Sequence, residues 1–138
     1  MTVIPGARPT GTAGRVLVVD DEPNICALLS ATLRLTGFEV RVAGGGHEAL
    51  VAAEDFEPDL VVLDVMMPEL SGWQVLRALR AQPRYQLLPV LMLTAAVQPN
   101  DVEMSYDLGA SAVIGKPYEG ERLTQMVETL LVQADVLS

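Results

Sequence analysis

The chain has 138 residues, of which 50% are hydrophobic and 20% charged, so it fits one compact soluble domain and leaves little room for a second. Its formal net charge of −9 argues against nucleic acid as a direct partner, because phosphate backbones need clusters of lysine and arginine. A single cysteine excludes a disulfide framework, and no apolar run reaches the roughly 18–20 residues needed to span a bilayer. We therefore expect a cytoplasmic protein without a membrane partner.

The two ends of the chain are expected to lie outside the folded domain. Residues 1–14 are rich in proline and glycine and lack the apolar segment of a signal peptide, which predicts a flexible leader. The folded domain would cover residues 15–134, and residues 135–138 would form a short tail. The tail contains no helix-turn-helix, so the chain is either a stand-alone domain that acts by protein contact or a domain cut from a longer protein.

The first predicted elements set the pattern of the fold. Arg15–Val19 is apolar and β-branched at nearly every position, which is typical of a strand inside a parallel sheet that helices cover on both faces. Apolar residues at helical spacing follow Pro23 and stop at Gly37, which predicts a helix. Glu39–Ala43 alternates polar and apolar residues, as an edge strand with one wet face does.

The same alternation continues to the end of the chain. The further predicted elements are a helix over residues 47–54, a strand over residues 60–63, a helix that begins at Ser71 and Gly72, a strand over residues 89–93, a helix over residues 101–108, a strand over residues 112–115 and a helix over residues 119–133. Five strands that alternate with five helices, joined by right-handed crossovers, predict an α/β fold with a doubly wound parallel sheet.

Polar side chains follow four of the five predicted strands. They are Asp20 and Asp21, Asp64, Thr94, and Lys116. Each has an ordinary alternative reading: a helix cap, a turn residue, a strand terminator and a solvated surface cation. Ligands of open parallel sheets bind beyond the carboxyl ends of the strands, so the joint occurrence of these residues at that edge favours a binding site.

The charges of these residues make sense only together. Three crowded carboxylates repel one another, and the repulsion must be offset by protonation or by a cation. A divalent ion with hard oxygen ligands, Mg²⁺ above all, suits such a pocket, and Lys116 adds a monocation. The pocket could cancel the charge of a transferring phosphoryl group, a central carboxylate could attack phosphorus, and Thr94 could donate a hydroxyl. No Ser, His or Cys has the sequence partners of a hydrolytic triad.

Over residues 15–133 the chain resembles the receiver domains of bacterial response regulators, the chemotaxis-regulator-like domains of two-component signalling. The matching motifs are Val-Val-Asp20-Asp21-Glu22, Leu63-Asp64-Val-Met-Met-Pro68 with Gly72, Leu93-Thr94-Ala95, Gly109-Ala110 and Lys116-Pro117. The set is specific in this order, whereas any one motif alone is weak. The resemblance implies a flavodoxin-like (βα)5 fold with strand order 2-1-3-4-5.

The resemblance also implies a role for each residue of the pocket. Asp64 would accept a phosphoryl group. Asp21, Asp64 and the backbone carbonyl of Met66 would bind Mg²⁺ directly, and Asp20 would act through water. Thr94 would be the switch hydroxyl and Lys116 the cation that contacts the phosphoryl group.

Partners follow from the same resemblance. The donor would be a phosphohistidine on a sensor histidine kinase or a histidine phosphotransfer protein, docking mainly on the first helix and the loop after the last strand. A downstream protein would be contacted through the loop after Thr94 and the last two helices. The Lys116–Pro117 bond would be cis. His47 is expected to be exposed and is not the donor. The chain would be a signalling phosphoacceptor rather than an enzyme, catalysing only its own phosphorylation and dephosphorylation.

Two departures from the family pattern concern the switch and the lifetime of the phosphoryl group. The family usually carries an aromatic residue three positions before the lysine, and here that residue is Val113. Signal would then pass through the loop after Thr94 and the helix that follows it. Met66 and Ala96 lie two positions past the acceptor and past the threonine, and neither orients a hydrolytic water, which predicts slow self-dephosphorylation.

Two rival readings remain open. A degenerate receiver would act as an interaction module without phosphorylation, and only Val113 supports it. A Mg²⁺-dependent aspartyl-phosphate phosphatase would commonly carry a second carboxylate two residues after its nucleophile, where this chain has Met66.

Overall fold

Five parallel strands form one sheet in the order β2-β1-β3-β4-β5, which is the predicted order. The structure is a computed structural model that describes residues 14–95 and 99–137, with side chains up to residue 135. Its elements are β1 (Arg15–Val19), α1 (Pro23–Leu35), β2 (Glu39–Ala43), α2 (Gly46–Phe56), β3 (Leu60–Asp64), α3 (Gly72–Arg80), a 3₁₀ helix (Pro83–Tyr85), β4 (Val90–Thr94), α4 (Pro99–Asp107), β5 (Ala112–Gly115) and α5 (Gly120–Leu137).

The register of the strands brings their carboxyl ends to one edge. Val19 of β1 pairs with Leu63 of β3, and Thr94 of β4 pairs with Gly115 of β5. The first two residues after β1, the last residues of β3 and β4, and the first residue after β5 therefore share that edge. The predicted pocket residues come from these positions.

Apolar side chains on the two faces of the sheet form two separate cores. Leu17 and Val19 point into the core shared with α2 and α3, whereas Val16 and Val18 point into the core shared with α1 and α5. All four are at most 1% exposed, which is why β1 is apolar at consecutive positions. Burying side chains of this size contributes about 1.5–3 kcal/mol each before the entropic cost of ordering the chain.

Several helix bounds differ from the predicted ones. The last helix runs to Leu137, through most of the predicted tail, because residues 134–137 contain neither glycine nor proline to stop it. Helix α4 begins at Pro99, two residues early, and proline is favoured in a first helical turn. The sequence pattern did not predict the 3₁₀ helix at Pro83–Tyr85, whose three residues are too few to show a period. Across the described ranges, no helix is long and apolar enough to cross a membrane.

Two polar contacts tie α3 to its surroundings. The Arg80 guanidinium donates to the backbone carbonyls of Tyr85, Leu88 and Gly109 at 2.6–3.0 Å, which fixes two loops against the end of α3. The indole N–H of Trp73 donates to Ser105 Oγ at 2.9 Å, and this bond joins α3 to α4. The structure therefore couples the helix after β3 to the helix after β4.

Candidate functional site

Three carboxylates converge at the carboxyl edge of the sheet, as the sequence predicted. One oxygen from each of Asp20, Asp21 and Asp64 lies within 4.8 Å of the other two. Asp20 and Asp64 are 1% and 4% exposed, whereas Asp21 is exposed to solvent. The backbone N–H of Glu22 donates to Asp20 Oδ1 at 2.9 Å, which holds that carboxylate in place. Such a cluster of hard oxygen atoms, with one side open, is the donor set that Mg²⁺ prefers.

Lys116 supplies the positive charge of the site. Its Nζ lies 3.2 Å from Asp64 Oδ1 and 3.5 Å from Asp20 Oδ2, so one ammonium group pairs with two carboxylates. Burial alone would lower the pKa of Lys116, but the two carboxylates outweigh it and the pKa is raised. The lysine is therefore a fixed cation at neutral pH.

The charge on Asp64 is only partly offset. Burial raises the pKa of its carboxyl, the neighbouring Asp20 raises it further, and Lys116 opposes both without reversing the shift. Asp20 Oδ2 is buried and has no hydrogen-bond partner among the described residues, so the 3.5 Å ion pair with Lys116 is its polar contact. The pocket has an excess of negative charge that a further cation would relieve.

Thr94 lies at the same edge, at the end of β4. It is 2% exposed, and its backbone carbonyl accepts a 2.7 Å hydrogen bond from the N–H of Lys116. This bond fixes the backbone of Lys116 beside the end of β4. The Lys116–Pro117 peptide bond is cis, as expected. Ala96, which was expected not to orient a hydrolytic water, lies outside the described residues.

The loop after β3 presents Met66 beside the acidic pocket. Burial and Asp20 raise the pKa of the Asp64 carboxyl, and the backbone of Met66 opposes them with a smaller effect. The side chain of Met66 is 66% exposed. The loop returns to α3 through a 2.9 Å bond from the N–H of Gly72 to the carbonyl of Val65. A Cβ at Gly72 would overlap the carbonyl oxygen of Asp64, so only glycine lets α3 begin this close to the site.

The sequence pattern did not predict the surroundings of three further side chains. Cys26 Sγ donates to the backbone carbonyl of Asp20 at 3.2 Å, and burial, followed by Asp20, raises the pKa of its thiol. Tyr118 is half-buried, and burial raises the pKa of its phenol. Ser105 is 1% exposed and receives the Trp73 indole N–H. Residues 73 and 105 are 32 positions apart, so only the fold brings them together.

Val113 stands where the family usually carries an aromatic residue. Val113 is partly buried and packs against the core on the α2–α3 face of the sheet. His47 is exposed on α2, as expected.

Comparison with known proteins agrees with this geometry. A sequence model described as the response regulator receiver domain matches residues 16–128. The chain belongs to the response regulator receiver family. The match leaves out only the two ends of the chain, and it includes every residue of the pocket.

Relatives of known name are response regulators. The chain is 39% identical over 122 residues to the alkaline phosphatase synthesis transcriptional regulatory protein PhoP of Bacillus subtilis, covering 88% of this chain and 50% of that protein. It is 39% identical over 117 residues to the DNA-binding response regulator MtrA of Mycolicibacterium smegmatis, covering 85% and 50%. This receiver therefore spans about half the length of the curated relatives it matches.

Solved structures show the same fold. The chemotaxis response regulator CheY4 of Vibrio cholerae is 34% identical, with a TM-score of 0.81 and a match that covers 86% of this chain and 99% of that one. NtrX of Brucella abortus is 31% identical, with a TM-score of 0.84, over 91% of this chain and 28% of that one. The predicted flavodoxin-like (βα)5 receiver fold is confirmed.

Proposed function

We propose that this receiver takes a phosphoryl group from a phosphohistidine onto Asp64 in a Mg²⁺-dependent reaction. The donor would be a sensor histidine kinase or a histidine phosphotransfer protein in the cytoplasm. The phosphorylated receiver would then signal by contact with a downstream protein, through the loop after Thr94 and the last two helices. The observation that carries the proposal is the cluster of Asp20, Asp21 and Asp64, in which Asp20 and Asp64 both pair with the ammonium group of Lys116.

The acidic cluster fits a bound Mg²⁺. Three carboxylate oxygens lie within 4.8 Å of one another, and one buried oxygen of Asp20 has no hydrogen-bond partner in the described part of the chain. Asp21, Asp64 and the backbone carbonyl of Met66 would hold the ion, with Asp20 acting through water. When bound, the ion neutralises charge on the transferring phosphoryl oxygens.

Asp64 would act as the nucleophile. One carboxylate oxygen attacks phosphorus, the P–O bond of an acyl phosphate forms, and the bond between phosphorus and the imidazole nitrogen of the donor breaks. The electron pair of that bond stays on the imidazole. Because the fold raises the pKa of Asp64, its carboxylate is a more basic nucleophile than an exposed one.

Lys116 and Thr94 would receive the transferred group. The Lys116 ammonium group already lies 3.2 Å from Asp64 Oδ1, so it is within reach of an oxygen added to that carboxylate. The Thr94 hydroxyl would donate a hydrogen bond to a phosphoryl oxygen. The 2.7 Å bond from the N–H of Lys116 to the carbonyl of Thr94 would keep both residues on one side of the site.

One observation supports the alternative hypothesis, that of a degenerate receiver that acts as an interaction module without phosphorylation. Val113 has no ring that could move inward with Thr94. A receiver that works without phosphorylation would keep the fold and its protein contacts, but it would have no need for Asp64 to be chemically competent.

Radiolabelled acetyl phosphate tests the proposal. We expect the wild-type protein to take up about one phosphoryl group per chain with Mg²⁺ and none with EDTA, and Asp64→Asn to take up none. Asp55→Asn is the matched control, because Asp55 is an exposed carboxylate on α2. Uptake that persists in Asp64→Asn, or its absence from the wild type, would contradict the proposal, and the second result would favour the degenerate reading.

A further inference from the structure

Two consecutive methionines in the loop after β3 have opposite environments. Met66 is 66% exposed, whereas Met67 is 8% exposed and belongs to the core on the α2–α3 face. Of the other methionines that the structure describes, Met92 is fully buried, Met126 is partly buried and Met104 on α4 is 48% exposed. Of the methionines that the structure describes, the most exposed one therefore lies in the loop that follows Asp64.

The backbone fixes Met66 next to Asp64. Met66 lies two residues after Asp64, and the N–H of Val65, between them, donates to the carbonyl of Leu93 at 2.9 Å. The return of the loop is fixed by the bond from Gly72 to Val65 at 2.9 Å. A change in the chemistry of the Met66 side chain would thus occur at the rim of the site without needing the backbone to move.

We propose that Met66 is an oxidation site that controls how long the phosphoryl group stays on Asp64. A hydroperoxide would transfer one oxygen atom to the thioether: the sulfur lone pair forms an S–O bond, the O–O bond breaks, and water or an alcohol leaves. Sulfur is oxidised by two electrons and the peroxide is reduced by two. Methionine sulfoxide is reversible by the sulfoxide reductases, which need a thiol.

The direction of the effect follows from the polarity of the two forms. The thioether is apolar and accepts hydrogen bonds only weakly, so it does little to order water beside Asp64. The sulfoxide oxygen is a strong acceptor that can orient a water molecule beside the acyl phosphate. Oxidation therefore shortens the lifetime of the phosphoryl group. This inference rests on the phosphoacceptor function proposed for Asp64.

Peptide mass spectrometry after brief treatment with hydrogen peroxide tests the selectivity. Among the methionines that the structure describes, Met66 is expected to be oxidised at least as fast as Met104, while Met67 in the same tryptic peptide stays reduced. Because Met66 is exposed, the oxidised protein should keep its circular dichroism spectrum and its thermal unfolding curve. Oxidation of Met67 as fast as Met66, or unfolding after oxidation of Met66 alone, would overturn the proposal.

Decay of the phosphoryl group, after labelling with acetyl phosphate and its removal, tests the consequence. Oxidised wild type and oxidised Met104→Leu should lose the label roughly threefold faster or more than the reduced proteins, a factor that one modest hydrogen bond can give. Met66→Leu should be insensitive to peroxide, unoxidised Met66→Gln should decay as fast as the oxidised wild type, and sulfoxide reductases should restore the slow decay. If the reduced wild type takes up no label, the phosphoacceptor function fails. If it takes up label that decays at the same rate before and after oxidation of Met66, only this inference fails.

Discussion

Two buried serines show how the same side chain can either stabilise or destabilise a helix. Ser30 on α1 and Ser105 on α4 are 4% and 1% exposed. Ser105 Oγ accepts the indole N–H of Trp73 and donates to the carbonyl of Asp101, both at 2.9 Å. Ser30 Oγ has no hydrogen-bond partner within the described residues. A buried hydroxyl without a partner costs about 1–3 kcal/mol, whereas one with partners contributes roughly 0.5–1.5 kcal/mol.

We therefore expect alanine substitutions at these two positions to have opposite signs. Ser30→Ala should raise the free energy of unfolding by about 1 kcal/mol, because it removes the unpaired hydroxyl and improves helix propensity. Ser105→Ala should lower it by about 1–2 kcal/mol, because the indole N–H of Trp73 loses its acceptor. Urea denaturation followed by circular dichroism measures both changes. A loss of stability in Ser30→Ala would mean that the hydroxyl has a partner, such as an ordered water.

At the scale of the elements, the approach of α3 to β3 decides whether the site can form. The helix begins at Gly72, which the N-cap Ser71 precedes, and the capping box between Ser71 and Gln74 fixes its first turn. That turn presses against the backbone of Asp64, where a side chain at position 72 would meet the carbonyl oxygen. The stability of the fold and the position of the phosphoacceptor depend on the same contact.

Gly72→Ala should therefore be strongly destabilising. We expect a loss of about 3 kcal/mol or more, because the overlap is with backbone that cannot rotate away. Gly120→Ala is the control: its Cβ would make only an ordinary contact with Thr32 at 3.4 Å, and alanine is the better helix former at an exposed first position. Thermal unfolding of both variants measures the difference. Equal melting temperatures would show that the loop after β3 relaxes without cost.

The sequence pattern predicted elements better than contacts between them. Strands such as β1 were evident because burial on both faces makes every position apolar, and that pattern is local. The bond between Trp73 and Ser105 was not predicted, because it depends on how α3 and α4 pack. The end of α5 was also missed, since helix ends depend on tertiary packing as well as on stop signals.

At the scale of the whole molecule, the predicted pocket came from topology. In a parallel sheet all strands end at one edge, so polar residues at the ends of β3 and β4 or directly after β1 and β5 must meet there. Asp64, Thr94, Asp20 and Lys116 do so. The solvent exposure of the pocket residues could not be predicted from topology in the same way. Asp20 and Asp21 are neighbours in the chain, yet the first is 1% exposed and the second lies in solvent, because successive residues point in different directions.

The net charge of −9 adds a second reason for the protein to respond to cations. Any salt screens repulsion among exposed carboxylates, so a rise in stability with Mg²⁺ would not by itself show a site. A specific site follows mass action and contributes RT ln(1 + [Mg²⁺]/Kd), which is about 1.4 kcal/mol at ten times the dissociation constant. The two effects can be separated by choosing which carboxylate to remove.

We expect Mg²⁺ at constant ionic strength to raise the melting temperature of the wild type and of Asp55→Asn equally, and to have little effect on Asp21→Asn. Asp21 belongs to the acidic cluster, whereas Asp55 is an exposed residue of α2, and both substitutions remove one charge.

The stabilisation by Mg²⁺ should shrink as the pH falls, because the raised pKa of Asp64 lets protons compete with the metal at a higher pH than for an exposed aspartate. For the same reason the ionised Asp64 weakens the metal-free fold as the pH rises through its folded pKa, and Mg²⁺ removes that penalty. Calorimetric scans at several pH values measure both trends, and equal stabilisation of all three proteins would mean that Mg²⁺ acts only by screening.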